Sequence, residues 1–190
     1  MEKEEIIMSE EFVVRHTSPT LAGLKTGNLF NCRFQNKQEL YKELRLLNQK
    51  LVPKGARIIP MKLYRDKALL YLYRPHLLEK DLQMEEVAEL LSRCGYAIEN
   101  PEKCVVQLIR KMSMSEEFPH EIGLFLSYPP EDVCGFMDHP NEGCKCVGCW
   151  KVYGNEEEAK AKFAAFQHCT EELQLQFLKG KSIEQLTAVV

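Results

Sequence analysis

The spacing of apolar and polar side chains predicts both helices and strands. Asn36 is a predicted N-cap, and the four leucines that follow it at helical spacing predict an amphipathic helix: Leu40, Leu44, Leu47 and Leu51. The stretch NLFNCRF alternates apolar and polar residues, which is typical of a half-buried strand. The stretch ARIIPMKLYRDKALLYLYRP predicts a hairpin, and its almost wholly apolar second run fits the central strand of a sheet.

Caps and helix breakers predict the remaining elements. Ser18 and Pro19 form a helix start, and Gly27 fits the end of that helix about two turns later. The stretch CVGCWKVYG favours one last strand because it is rich in β-formers. Further helices are expected over residues 75–94 and 102–114, in two short pieces after Pro119 and Pro129, and from Asn155 onward.

This order of elements predicts the α/β class, as a single domain with a small mixed β-sheet of about four strands covered by helices. The domain is expected over residues 16–178, with an N-terminal extension (1–15) and a C-terminal tail (179–190). The chain lacks a G-x-G-x-x-G turn, a Walker lysine loop, H-E-x-x-H and G-x-S-x-G. It therefore favours none of the enzyme classes that those motifs define.

The composition limits the classes of partner that we expect for the chain. With 25 basic and 28 acidic residues the net charge is −3, so no overall field attracts nucleic acid or an anionic membrane. The acidic start MEKEEIIMSEEF is unlike a secretory signal, and no apolar run approaches the ~20 residues of a membrane span. We therefore expect a cytoplasmic protein without nucleic-acid or membrane partners, in which the eight cysteines are mostly free thiols.

Three stretches together carry a family resemblance: PTLAGLKTGNLFNC, FPHEIGLFLSYPPEDVCGFM and CVGCWKVYGNEEEAKAKFAAFQHCT. They resemble a family of small cytosolic proteins from clostridia and related anaerobic bacteria, known as domain of unknown function 3793. The resemblance runs from about residue 16 to residue 170 and implies one α/β domain in a bacterial cytosol. It implies no activity, substrate or catalytic residue, and the cofactor is left unknown.

Three residues are candidates for binding a small anionic ligand or cofactor: Lys25, Arg74 and His120. Lys25 lies in a glycine-flanked turn, where backbone N–H groups and one cation can hold phosphate or carboxylate. Arg74 follows the apolar strand and can bind such groups through two parallel hydrogen bonds. The alternatives are structural: Lys25 as a helix-end residue, Arg74 as a helix cap or a partner of Glu79, and His120 as a polar first-turn residue.

A cluster of thiols forms the second candidate site. Cys144, Cys146 and Cys149 are possible metal ligands or a redox group, but their spacing departs from paired C-x-x-C zinc knuckles. On one strand, Cys144 and Cys146 would share a face and Cys149 would lie on the other. Ordinary thiols are the alternative interpretation.

Catalytic candidates are His120, as a general base, and Cys32, as a nucleophile if His16 or His120 folds against it. The leading hypothesis for the function is binding of a small anionic ligand or cofactor. One alternative is a metal- or thiol-dependent redox protein with a partner protein. The other is an interaction module without catalysis, in which the C-terminal helix docks a partner.

Overall fold

The computed structural model describes residues 8–115 and 117–190. Contacts within the chain group into two compact units. Of the described residues, the first unit comprises those up to Arg74 together with Cys169–Val190, and the second comprises those within Pro75–His168.

The first unit contains a three-stranded antiparallel sheet in the order β1-β3-β2. Its strands are β1 (Gly27–Arg33), β2 (Arg57–Tyr64) and β3 (Lys67–Tyr73). The central position of β3 confirms the prediction from its apolar run, since Leu70 and Leu72 are fully buried. The hairpin between β2 and β3 is also confirmed.

Helices cover this sheet and close the core of the first unit. They are α1 (Glu10–Leu21), α2 (Lys37–Leu51), the end of α8 (Glu156–Leu178) and α9 (Ile183–Leu186). The four leucines predicted to form the apolar stripe of α2 are all buried. Ile183 and Leu186, in the segment expected to form a tail, belong to the same core.

Helix α1 is longer than predicted. Ser9, not Ser18, caps its start by accepting a hydrogen bond from the backbone of Phe12. The Ser18 hydroxyl instead donates to the Val14 carbonyl one turn back, and Pro19 lies inside the helix. The helix ends where Gly23 adopts a positive φ of 78°, a conformation that glycine takes at little cost. The prediction that Gly27 ends this helix is therefore wrong.

The second unit is mainly helical. Its elements are α3 (Pro75–Leu82), α4 (Glu85–Arg93), α5 (Pro101–Met114), α6 (Ile122–Phe125), α7 (Pro130–Asp138), β4 (Cys146–Val147), β5 (Lys151–Val152) and the first part of α8. Among the described residues of the whole chain, no helix combines the length and the apolar composition needed to cross a bilayer.

The α/β fold class is confirmed: a small sheet is packed with helices. The strand pairs of the described residues are all antiparallel. The stretch predicted as one last strand is a short hairpin of β4 and β5, which pair with each other. The chain reverses at Gly148, whose N–H donates to the Trp150 carbonyl, and this turn allows the Trp150 ring to be buried.

The helix predicted over residues 75–94 is two helices, α3 and α4. Buried leucines follow the helical period up to Leu82, and the next buried residue is Val87. In one continuous helix, Val87 would lie five residues after Leu82 and therefore on a different face from the buried leucines. A tight turn at Gln83 and Met84 ends α3, and the apolar side chains of α4 are buried in a second helix.

Candidate functional site

The three residues predicted to bind an anion do not all lie in one unit. Lys25 and Arg74 belong to the first unit, and His120 belongs to the second. Lys25 lies in the loop between α1 and β1 and is buried, with 6% of its surface exposed. Because α1 ends at Leu21, Lys25 is not part of the last helical turn.

Arg74 is 1% exposed and its guanidinium contacts main-chain carbonyl oxygens. It donates to Thr20 and Leu21 at the end of α1, to Lys54, and to Ala188 near the C-terminus, over distances of 2.5–3.1 Å. These four bonds use four of its five N–H donors. The arrangement is that of the helix-capping alternative, because the carbonyls at a helix end lack partners within the helix.

Cys32 lies on β1 and faces the core, with 2% of its surface exposed. Burial raises the pKa of its thiol to about 11, with a further contribution from Glu43. The thiolate needed for nucleophilic attack is therefore scarce near neutral pH. His16, one of its predicted partners, packs against aromatic rings, with its centroid 4.4 Å from Phe12 and 5.8 Å from Phe30.

The three clustered cysteines lie along the β4–β5 hairpin. The Cys144 thiol donates to the Cys146 carbonyl at 3.2 Å, and Cys149 lies exposed in the turn. Within the described residues, no three His, Cys, Asp or Glu side chains are grouped so that they could hold a metal ion. The hairpin thus does not bring these cysteines together as a ligand set.

A cavity of about 460 Å³ lies in the second unit, between the α6–α7 segment and the β4–β5 hairpin. Its lining residues fall within 118–136 and 147–151. Both ranges lie inside stretches that carry the family resemblance noted above. Five of the lining residues have ring side chains, and we call the site the aromatic cavity: Phe118, His120, Tyr128, Phe136 and Trp150.

One buried carboxylate fixes the wall of the aromatic cavity. Asp132, in the first turn of α7, is 3% exposed. One of its oxygens accepts a hydrogen bond from the Trp150 indole Nε1 at 2.7 Å. The other accepts from the backbone N–H groups of Tyr153 and Gly154, both at 2.7 Å. Asp132 therefore joins the hairpin to α7 and sets the orientation of the indole.

Ring contacts complete this wall. The Trp150 ring stacks on Tyr128 with centroids 4.7 Å apart and makes a T-shaped contact with Phe163, with centroids 4.5 Å apart. Gly148 makes the second contact possible, because a Cβ at this position would lie 2.2 Å from the Phe163 ring. The Tyr128 hydroxyl donates to the Cys149 carbonyl at 3.2 Å. Burial, helped by Cys149, raises the pKa of Tyr128 to about 12, so this hydroxyl stays protonated.

Polar groups of the aromatic cavity flank one ring. The His120 imidazole meets Phe136 edge to face at 4.9 Å, and the Lys151 ammonium lies 5.2 Å from the centroid of the same ring. The ammonium also donates to the Pro140 carbonyl at 2.8 Å, which limits its freedom. Asp132 is the only carboxylate among the described lining residues, and its oxygens already accept three bonds. Among the described lining residues, the charged group besides Asp132 is therefore the positive Lys151 ammonium.

Glu121, the neighbour of His120, points elsewhere, as expected for adjacent residues. Its buried carboxylate accepts hydrogen bonds from Lys111 at 2.8 Å and from Tyr96 at 3.1 Å. Burial raises the pKa of Glu121, but the bonds and charge of Lys111 outweigh it, so the pKa lies below its ordinary value. Glu121 thus belongs to a structural ion pair beside the aromatic cavity and gives His120 no orienting partner.

Two of the earlier candidates, His120 and Cys149, line the aromatic cavity. Sequence reasoning missed Trp150, Phe136, Lys151 and Asp132. One signal was present, because Trp150 is the only tryptophan of the chain and directly follows Cys149. Asp132 gave no such signal, since an acidic residue in a first helical turn is common.

Comparison with known proteins gives one result. The sequence model of a family described as "Protein of unknown function (DUF3793)" matches residues 13–187, nearly the whole chain. No curated protein and no solved structure matches the chain.

Proposed function

The chain belongs to the DUF3793 family, which brings no activity with it, and we propose from the aromatic cavity that it binds a small ligand with an anionic group. The observation that carries this proposal is how the lining arises: two short stretches, residues 118–136 and 147–151, are separated in the chain by residues 137–146 and together line one cavity. Its volume of about 460 Å³ suits a small molecule, since ligand pockets typically enclose about 300–1,000 Å³.

The polar groups favour an anion over a cation. The Lys151 ammonium and the His120 imidazole both contact the Phe136 ring. The Asp132 carboxylate already accepts three hydrogen bonds from the protein. An anionic group near Phe136 could accept hydrogen bonds from both side chains in a partly desolvated place, where such bonds are stronger than in water.

This proposal retains His120 from the sequence hypothesis and assigns the second contact to Lys151. Lys25 and Arg74 are not included, because they belong to the first unit and Arg74 already donates to four carbonyls. We also propose a cytoplasmic location, which suits a chain whose eight cysteines are free thiols.

Trp150 provides the test, because its fluorescence is the only indole signal of the chain. Small carboxylates, phosphates and nucleotides are titrated while indole emission and melting temperature are recorded. Any hit is repeated with Lys151→Met. Loss of one charge-assisted hydrogen bond costs about 1.5–3 kcal/mol, so we expect affinity to fall roughly tenfold or more.

Lys145→Met is the matched control. Lys145 lies at the start of the same hairpin and also donates to a main-chain carbonyl, that of Gly154, but it does not line the aromatic cavity. Its variant should bind each hit within about twofold of the parent. The proposal is wrong if no anion changes the indole signal, or if both lysine variants lose affinity equally.

A further inference from the structure

The ring-rich wall of the aromatic cavity narrows the class of ligand, an inference that rests on the proposed function. Five of its fourteen lining residues carry rings, and the ring pairs meet both stacked, as at Tyr128 and Trp150, and edge to face, as at His120 and Phe136. A flat conjugated ring can add a further contact of either geometry, whereas an acyl chain gains only from burial of apolar surface.

The position of the ammonium adds a constraint on the ligand. Lys151 Nζ lies over the Phe136 ring, 5.2 Å from its centroid, so the positive charge is in contact with an aromatic side chain of the cavity. A ligand whose ring packs on Phe136 can reach this charge only with an acid on the ring itself or on a short linker. A long acyl carboxylate can also reach this charge, but its chain gains only burial of apolar surface against the rings.

We propose that the ligand of the aromatic cavity is a planar aromatic or heteroaromatic acid, with its ring against Phe136 and Trp150 and its acidic group at Lys151 and His120. The ring contacts select the shape of the ligand, and the polar pair selects its charge.

A matched pair of probes tests this class: 2-naphthoate, which is a flat ring with a carboxylate, and decanoate, which is a chain with the same charge and a similar number of carbons. Dissociation constants are measured by calorimetry on the full chain. We expect 2-naphthoate to bind at least about fivefold more tightly, the effect of one or two additional aromatic contacts. Equal or tighter binding of decanoate would overturn the proposal.

Phe136→Leu removes the ring and keeps an apolar side chain. We expect it to weaken 2-naphthoate by about threefold or more and to change decanoate by less than twofold. Phe166→Leu is the control, because Phe166 packs against the cluster of Trp150, Val152 and Ala159 without lining the cavity. Equal weakening of both probes by Phe136→Leu would contradict the proposal, and the comparison on the parent chain stands even if this variant folds poorly.

The outcomes separate the two proposals. If decanoate or another non-aromatic anion binds at Trp150 and 2-naphthoate does not, the ligand class is wrong while the proposed function holds. If neither probe binds and the wider set of anions also gives no indole response, both are wrong.

Discussion

Asp132 is the residue on which the wall of the aromatic cavity depends most directly. Its carboxylate is 3% exposed and accepts three hydrogen bonds of 2.7 Å, from the Trp150 indole and from two backbone N–H groups. In Asp132→Asn the oxygen can still face the two backbone donors, but the amide NH₂ then faces the indole N–H, and two donors meet.

The cost of this change follows from the bonds lost. The variant loses one charge-assisted bond, weakens two others and leaves a buried indole N–H without an acceptor, so we expect destabilisation of about 2–4 kcal/mol. Urea unfolding followed by Trp150 emission and by circular dichroism measures this loss. Emission of the folded variant should also move to longer wavelength, because the indole is no longer held in the wall.

Asp138→Asn is the control for Asp132→Asn. Asp138 ends the same helix and is exposed, so the same chemical change should alter stability by less than about 0.5 kcal/mol. In addition, Trp150→Phe combined with Asp132→Asn should cost less than the sum of the two single changes, because both remove the same bond. Destabilisation of Asp132→Asn by less than about 1 kcal/mol would refute the reasoning.

Three further predictions concern other described parts of the chain. Arg74→Lys should lose at least about 2 kcal/mol of stability in urea unfolding, because an ammonium cannot donate to four carbonyls, whereas the exposed control Arg33→Lys should change little. Glu121 has a lowered pKa, so its ionised form stabilises the fold fully above about pH 4.5 and this contribution is lost as the pH falls further. The stability difference between parent and Glu121→Gln should therefore shrink below that pH. In native labelling followed by peptide mapping, the exposed Cys149 should react before the buried Cys32, and all eight thiols should react after denaturation without prior reduction.

Each of these predictions has a contradicting result. Arg74→Lys with the stability of the parent would mean that its carbonyl contacts contribute little. A parent–variant difference for Glu121→Gln that grows on acidification would reverse the sign argued from its pKa. Fewer than eight reactive thiols, with the remainder recovered on reduction, would show a disulfide.

Local patterns were sufficient where a single element buries one face. The leucines of α2 and the apolar run of β3 determine their own burial, because helical and strand periods are visible in a few residues. The predicted α1 is too short because Ser18 and Pro19 have the sequence of a helix start, whereas the helix begins at Glu10. In the folded chain the Ser18 hydroxyl bonds back to the preceding turn, which local propensity does not reveal.

The candidate site depended on contacts that sequence spacing does not encode. The sequence predicts different chemistry for His120 and Cys149, yet they line one cavity because the Asp132 carboxylate holds the hairpin against α7. Lys25 and Arg74 are anion-binding candidates in the sequence, and the fold buries both side chains. The single domain over residues 16–178 stays a prediction.

The most direct measurement is the ¹H–¹⁵N spectrum of the indole group, because the chain has one tryptophan and therefore one such resonance, from Trp150 Nε1. Titration with 2-naphthoate should move this peak along a saturable curve, with the dissociation constant found by calorimetry, and Lys151→Met should shift the curve to higher concentration. An indole peak that stays in place, while any anion raises the melting temperature of the chain, would show that binding occurs elsewhere and would contradict the proposed function.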